Sequence, residues 1–279
     1  MPAALILPLP LPDLRARYAR LAAEVHQPAH EASMPVWIGA RRCGMAAPAA
    51  RAALAGLDGV REDGTGLRIG DDLPAGAARD ALLARVADTL RDAGCLRGWR
   101  GELLDVAAAD GHRLGAIERA ATRPLGLLTF AVHLNAWTPD NALWIARRAL
   151  TKSTDPGLWD TLVGGLSGSC ETLEDSLLRE CGEEAGLDPP DLVCRSPLRT
   201  ILRFQRQLAG EGMQVEDILV STCVLAADAR PENRDGEVME IRHVPVATAL
   251  AMLDAGEFTD EAAAVILEDM LYRAGGGLP

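Results

Sequence analysis

A chain of 279 residues that is 48% hydrophobic and only 4% aromatic has room for one large or two ordinary domains, with cores built from Ala, Leu and Val rather than from rings. Its formal charge of −12 sits in one half, because residues 1–120 hold 15 basic and 15 acidic side chains while residues 121–279 hold 13 and 25. An acidic half with no basic stripe repels phosphate backbones, which excludes nucleic acid as the expected partner and favours a small molecule.

The opening MPAALILPLPLP is apolar but has four prolines and no basic leader, which fits neither a secretory signal nor a membrane helix. Six cysteines without a C-x-x-C pair read as reduced thiols of a cytoplasmic protein. Further on, Leu14 to Glu24 has a helical rhythm, Pro35 to Ala46 reads as a strand or a hairpin containing the turn residue Gly39, and Ala47 to Leu57 as a short helix. The stretch from Gly56 to Pro74 is rich in Gly and Asp and holds one short strand, Gly66 to Ile69. Ala77 to Ala93 is the clearest helix of this half, with Leu82, Leu83, Val86 and Leu90 on one face. Gly98 to Ala121 then gives a strand, an Asp110-Gly111 turn and a second strand or short helix.

From Leu125 strands dominate, with Asp140-Asn141 as a hairpin turn before NALWIARRAL. Lys152 follows; it is the one lysine beside 27 arginines, which reads either as a local need for a compact ammonium or as compositional drift. In TLEDSLLRECGEEAGL, Thr172 serves as N-cap with Asp175 three residues on, Leu173, Leu177, Cys181 and Ala185 form an apolar stripe, and Gly186 ends the helix. Glu180, Glu183 and Glu184 share one face of it, where like charges repel by roughly 0.2–0.5 kcal/mol per pair unless a hard cation such as Mg²⁺ or Mn²⁺ gathers them. Beyond it, Leu198 to Leu208, Val215 to Ala226 and Val238 to Val246 read as strands, and Ala247 to Leu253 and Asp260 to Tyr272 as helices. His133 and His243, inside strand patterns, read as core or surface histidines.

Gly165, Glu171, Arg179, Glu180, Cys181, Glu183, Glu184, Gly186 and Leu187 match every position of the Nudix box, G-x5-E-x7-R-E-U-x-E-E-x-G-U, with Cys181 an unusual choice for its apolar position. The chain is on these residues similar to the Nudix hydrolases. VWIGARRCG, GWRGELLDV, AIERAATRPLG and FAVHLNAW further resemble the domain that precedes the Nudix domain in certain fungal and plant plastid proteins, where in fungi it accompanies thiamine pyrophosphokinase. The resemblance implies a Nudix α/β/α sandwich with a mixed sheet over 122–279, preceded by a smaller α+β domain over 1–121.

It also implies metal-dependent hydrolysis of a diphosphate. Glu180, Glu183, Glu184 and the Gly164 carbonyl are then the Mg²⁺ or Mn²⁺ ligands, Arg179 orients the glutamates, and Glu171 braces them. Glu180 is one choice of general base; Asp235, Glu237, Glu240 or Glu216 is an equal one. Arg147, Arg148 and Lys152 are expected on the diphosphate, with Trp99, Arg100 and Glu102 lining a pocket at the domain junction or, instead, a surface Trp-Arg stack fixing the domains to one another. The substrate implied is thiamine diphosphate or an oxidised analogue, on whose ring Trp99 or Trp137 would stack. A nucleoside-diphosphate pyrophosphatase acting on substrates like 8-oxo-dGDP or ADP-ribose, an allylic-diphosphate isomerase and a non-hydrolytic sensor stand beside it. A homodimer is compatible with all of them.

Overall fold

The structure, a computed structural model, describes residues 5–108, 110–152 and 154–275. The first four residues of the apolar opening segment lie outside them.

Helix α1 (Leu11–Glu24) comes first, followed by the hairpin β1 (Met34–Ile38) and β2 (Arg41–Ala46), helix α2 (Pro48–Ala53), and strands β3 (Val60–Asp63) and β4 (Gly66–Ile69). These strands form one sheet in the order β2-β1-β4-β3, parallel only between β1 and β4. Helix α3 (Ala77–Asp92) covers it with Leu82, Leu83, Val86 and Leu90, all fully buried, as their spacing predicts. The antiparallel pair β5 (Leu103–Ala107) and β6 (Arg113–Glu118) follows, then the short helix α4 (Thr122–Leu125), which Gly126 stops in the left-handed region at φ 56°.

The second sheet runs β11-β13-β7-β8-β14, built from β7 (Leu128–Trp137), β8 (Leu143–Arg148), β9 (Trp159–Thr161), β10 (Val163–Leu166), β11 (Leu192–Val193), β12 (Arg199–Leu208), β13 (Gly212–Leu225) and β14 (Val238–Val244). Strand β10 also pairs with β7, β12 with β13 and β9 with β8. The sheet is mixed, since β13 runs parallel to β7 while the other pairings are antiparallel. Strands β3, β9, β10 and β11 go beyond the sequence-based reading. β10 contains Gly164-Gly165, which have no side chains to show a strand pattern.

Strand β7 shows how the layers are specified. Val132, Leu134 and Ala136 share a core with Leu177, Cys181 and Ala185 of helix α5 (Leu173–Ala185), while Trp137 packs on the opposite side with Ala262 and Ile266 of helix α7 (Asp260–Ala274). The period of two along the strand thus serves a helix layer on each face. Helix α6 (Val246–Asp254) joins the α7 side through Ala249 and Leu250.

Helix α1 lies apart from the remainder of the N-terminal half. Leu14, fully buried, belongs to the same core as Trp137 and Ile266; the Tyr18 hydroxyl donates to the Ile201 carbonyl at 2.8 Å, and the Gln27 amide to that of Gln205 at 2.6 Å. The apolar flank of α7 needs a cover, and α1 supplies it. Among the described residues no helix is long and apolar enough to cross a membrane, and the six cysteines are unpaired.

Candidate active site

Helix α5 is capped as its sequence predicts: the Thr172 hydroxyl accepts from the Asp175 amide at 3.1 Å, and Gly186 closes the far end at φ 62°. Its apolar stripe seats on the sheet and turns the acidic face toward β10. There the three glutamates divide. Glu184, 6% exposed, accepts from the Gly164 amide at 2.9 Å, whereas Glu180 and Glu183 each take the same Arg179 Nη1 at 2.9 Å.

The other edge of Arg179 grips Glu171 bidentately, Nε to Oε1 at 2.9 Å and Nη2 to Oε2 at 3.0 Å. Arg179 first, then the Ser176 hydroxyl at 2.8 Å, hold the Glu171 carboxyl below its ordinary range. Arg179 thus contacts Glu171, Glu180 and Glu183, the side chains that the box resemblance assigns it to brace and orient. Gly165 is required for a separate reason: an added Cβ would lie 2.1 Å from the Glu180 carboxyl carbon, so only glycine lets that carboxylate lie against the strand.

The loop before β14 completes the cluster. Carboxylate oxygens of Glu184, Asp235 and Glu237 all lie within 4.8 Å of one another. Lys152 stands among them, its Nζ in contact with Glu237 and 3.9 Å from Glu184 Oε1. Burial raises the pKa of Glu180 and of Asp235 and pushes Glu184 up to about 8, in the last case against the Gly164 amide and Lys152. Of the four outside acids considered, Asp235 and Glu237 are the two that converge here. Glu216 instead accepts from Thr129 at 2.7 Å and Gln214 at 3.0 Å, and Glu240 lies 3.6 Å from Arg242. Three carboxylates within one ion's reach are hard oxygen donors of the kind that Mg²⁺ and Mn²⁺ prefer, so the residues fit the expected metal.

Beside this cluster opens a polar cavity lined by Arg148, Lys152 and Glu237, and also by Arg97, Arg100, Arg119 and Arg123. Arg148 is held by Asp160 at 2.8 Å and by the Thr154 carbonyl at 2.9 Å. Arg147, expected with it, is not there. Adjacent strand residues point to opposite faces, so Arg147 donates instead to the Gly157 carbonyl at 3.0 Å and lies 5.8 Å from the Trp159 ring centre.

Arg100 lines the cavity as the junction-pocket reading expected, but Trp99 is not among the lining residues; it is 43% exposed, with the Arg91 guanidinium 4.7 Å over its ring. Trp137 is fully buried and donates its indole N–H to Asp269 at 2.8 Å, so it has no face for a substrate ring. His133 is a core histidine, its Nδ1 3.0 Å from the Thr161 hydroxyl and its pKa lowered by burial. Arg97, Arg119 and Arg123 escaped the sequence reading, since arginines scattered among 27 carry no local signal.

Residues 129–265 match the NUDIX domain family. The chain is 32% identical to Nudix hydrolase 24, chloroplastic, of Arabidopsis thaliana, over 71% of this chain and 54% of that protein. It is 31% identical to an isopentenyl-diphosphate Delta-isomerase of Kocuria rhizophila, over 40% of this chain and 59% of that one. The solved structure of DR0079 from Deinococcus radiodurans aligns with a TM-score of 0.47 at 24% identity, covering 61% of this chain and 99% of that one. The chain spans about half the length of the plant relatives it matches. With its complete box on α5, its mixed sheet between two helix layers and this match, the segment 129–265 of the chain is a Nudix domain.

Proposed function

We propose that the chain is a divalent-metal-dependent hydrolase of small molecules linked through a diphosphate, and that its substrate is thiamine diphosphate or an oxidised analogue, cleaved to the monophosphate. The observation that carries the hydrolase reading is the convergence of Glu184, Asp235 and Glu237 beside a cavity lined by Arg148 and Lys152. Mg²⁺ or Mn²⁺ held by these carboxylates, with Glu180, Glu183 and the Gly164 carbonyl adjoining, would polarise a phosphoryl oxygen and acidify a water.

The remaining work falls to the chain itself. Arg148, pinned by Asp160, presents a fixed guanidinium to the diphosphate, and Lys152 a point charge. Glu180 is the proposed base: burial raises its pKa, which makes it a better proton acceptor near neutrality, and Arg179 fixes its direction. Asp235 and Glu237 are the other candidates for that proton.

The thiamine reading rests on the resemblance of both halves to the fungal and plant proteins. A cationic ring would meet Glu216 and Gln214 in the cavity wall. A nucleoside diphosphate is the second reading, favoured by one observation: among the described residues the cavity is lined by guanidiniums and by no aromatic side chain, and guanidinium planes stack on neutral bases. The cytoplasm as location and a homodimer as assembly belong to the proposal.

The deciding measurement is kcat/KM with Mg²⁺ for oxythiamine diphosphate beside 8-oxo-dGDP and ADP-ribose. A nucleotide preferred by tenfold, about 1.4 kcal/mol in transition-state binding, overturns the thiamine reading. Release of no phosphate-containing product from any of them, or isomerisation of an allylic diphosphate instead, overturns hydrolysis.

A further inference from the structure

The cavity beside the box has a wall that the Nudix fold itself does not supply. Arg97 and Arg100 lie on the turn between α3 and β5, and Arg119 directly follows β6. The turn is firmly anchored. Gly98 and Gly101 bend it at φ 84° and 71°, and Glu118, 3% exposed, accepts from the Arg100 amide at 2.8 Å. Arg119 is tied back twice to Glu102, through its amide to the carbonyl and through its guanidinium to the carboxylate, each at 2.8 Å.

The same hairpin docks on the box. The Ser169 amide donates to the Leu103 carbonyl at 2.8 Å, and its hydroxyl to Asp105 at 2.7 Å, so β5 is seated against the loop that leads into α5. A second link spans the halves: Arg97 and Arg123 both bind Glu211, at 2.6 and 2.9 Å. Two guanidiniums on one carboxylate leave a positive charge over. Arg148, Lys152 and Glu237 line both this cavity and the cleft that contains Glu184, so the basic wall and the carboxylate cluster adjoin the same three side chains.

We propose that Arg97, Arg119 and Arg123 form, with Arg148 and Lys152, a phosphoanion-binding site shared by the two halves, so that the N-terminal half binds the substrate's diphosphate directly. The inference rests on the reading of the protein as a diphosphate hydrolase. Guanidiniums tethered by carboxylates are pre-oriented, and their forks match phosphate oxygens bidentately. The N-terminal half is then part of the binding site, with Arg119 in contact with substrate.

Calorimetric binding of inorganic pyrophosphate to the full chain, in EDTA, tests this without turnover. Arg119→Ala and Arg97→Ala should each weaken binding by about tenfold or more, Arg119→Lys should recover part of it, and the remote, exposed Arg85→Ala should leave it within about twofold. The site is overturned if the wild type binds no pyrophosphate, if Arg119→Ala and Arg97→Ala bind as the wild type does, or if Arg85→Ala loses as much as they do. Should Arg119→Ala fail to fold, Arg119→Lys and Arg97→Ala carry the same comparison. The two proposals fail separately. Hydrolysis with unaltered pyrophosphate binding in the variants sinks the shared site alone, whereas Arg119-dependent binding without hydrolysis sinks the enzymatic reading alone.

Discussion

Glu184 Oε1 lies 3.9 Å from the Nζ of Lys152, so the most deeply buried carboxylate of the box meets the chain's one lysine, while the other Glu184 oxygen takes the Gly164 amide. The pair is not isolated, because Glu237 contacts the same ammonium and Asp235 adjoins. A single positive charge therefore serves several acids.

This arrangement predicts a pH-dependent stability. The Glu184 carboxyl titrates near 4.5 in an unfolded chain and is pushed up to about 8 in the fold, chiefly by burial. Between those values the folded chain binds more protons than the unfolded one, so stability without metal falls as pH rises through that window. Lys152, lowered by burial, acts in the opposite sense at higher pH. Thermal unfolding in EDTA should show a declining Tm from about pH 5 to 8, and Mg²⁺ should raise Tm more at the upper end. A gain from Mg²⁺ that is flat across the window would count against Glu184 as a ligand.

Charge-removing substitutions should separate the acids. Glu184→Gln should lower kcat by at least about a hundredfold at saturating metal. Glu237→Gln and Asp235→Asn should weaken Mn²⁺ binding by about tenfold or more, and Glu240→Gln, outside the cluster, should not. Titration followed by the signal of free Mn²⁺ reads all four, and equal effects at Glu237 and Glu240 would dissolve the proposed cluster.

Lys152→Ala removes the ammonium from between Glu184 and Glu237 and from the cavity wall. We expect kcat/KM to fall by an amount corresponding to about 1.5–3 kcal/mol, with Lys152→Arg recovering part of it. Unchanged steady-state kinetics in the alanine variant would make the lone lysine incidental.

Gly165→Ala tests the close approach of Glu180 to β10. The new methyl would occupy the place of the Glu180 carboxyl, so the side chain must swing away from the strand and from the Arg179 contact. Activity should drop by at least about tenfold with the far-ultraviolet spectrum preserved, since a misplacement on the order of 1 Å costs up to about a hundredfold. Full activity would show that the contact does not matter.

What the sequence revealed depended on the range of the physics involved. Glu180, Glu183 and Glu184 were readable because helical spacing brings them together within two turns, and the Thr172 and Gly186 caps are equally local. Asp235 and Glu237 could be named only among four acids, since the chain's return to Glu184 is a tertiary event. Arg147 and Arg148 look alike in sequence, yet strand alternation sends them to different partners. Arg97, Arg119 and Arg123 meet only because one half docks on the other.

Helix α1 gives a prediction about the core. Leu14 is fully buried between the first and last helices, so Leu14→Ala should destabilise the chain by about 2–5 kcal/mol in a denaturant titration. A loss under about 0.5 kcal/mol, typical of a surface site, would mean that α1 is not seated on α7 in solution.

That seating also sets an order of events during synthesis. Leu14 is translated well before its partner Ile266 on α7, with the strands of both sheets made between the two. Helix α1 thus cannot find its place until α7 has been made, and until then its apolar face is open to chaperones or to a neighbouring nascent chain.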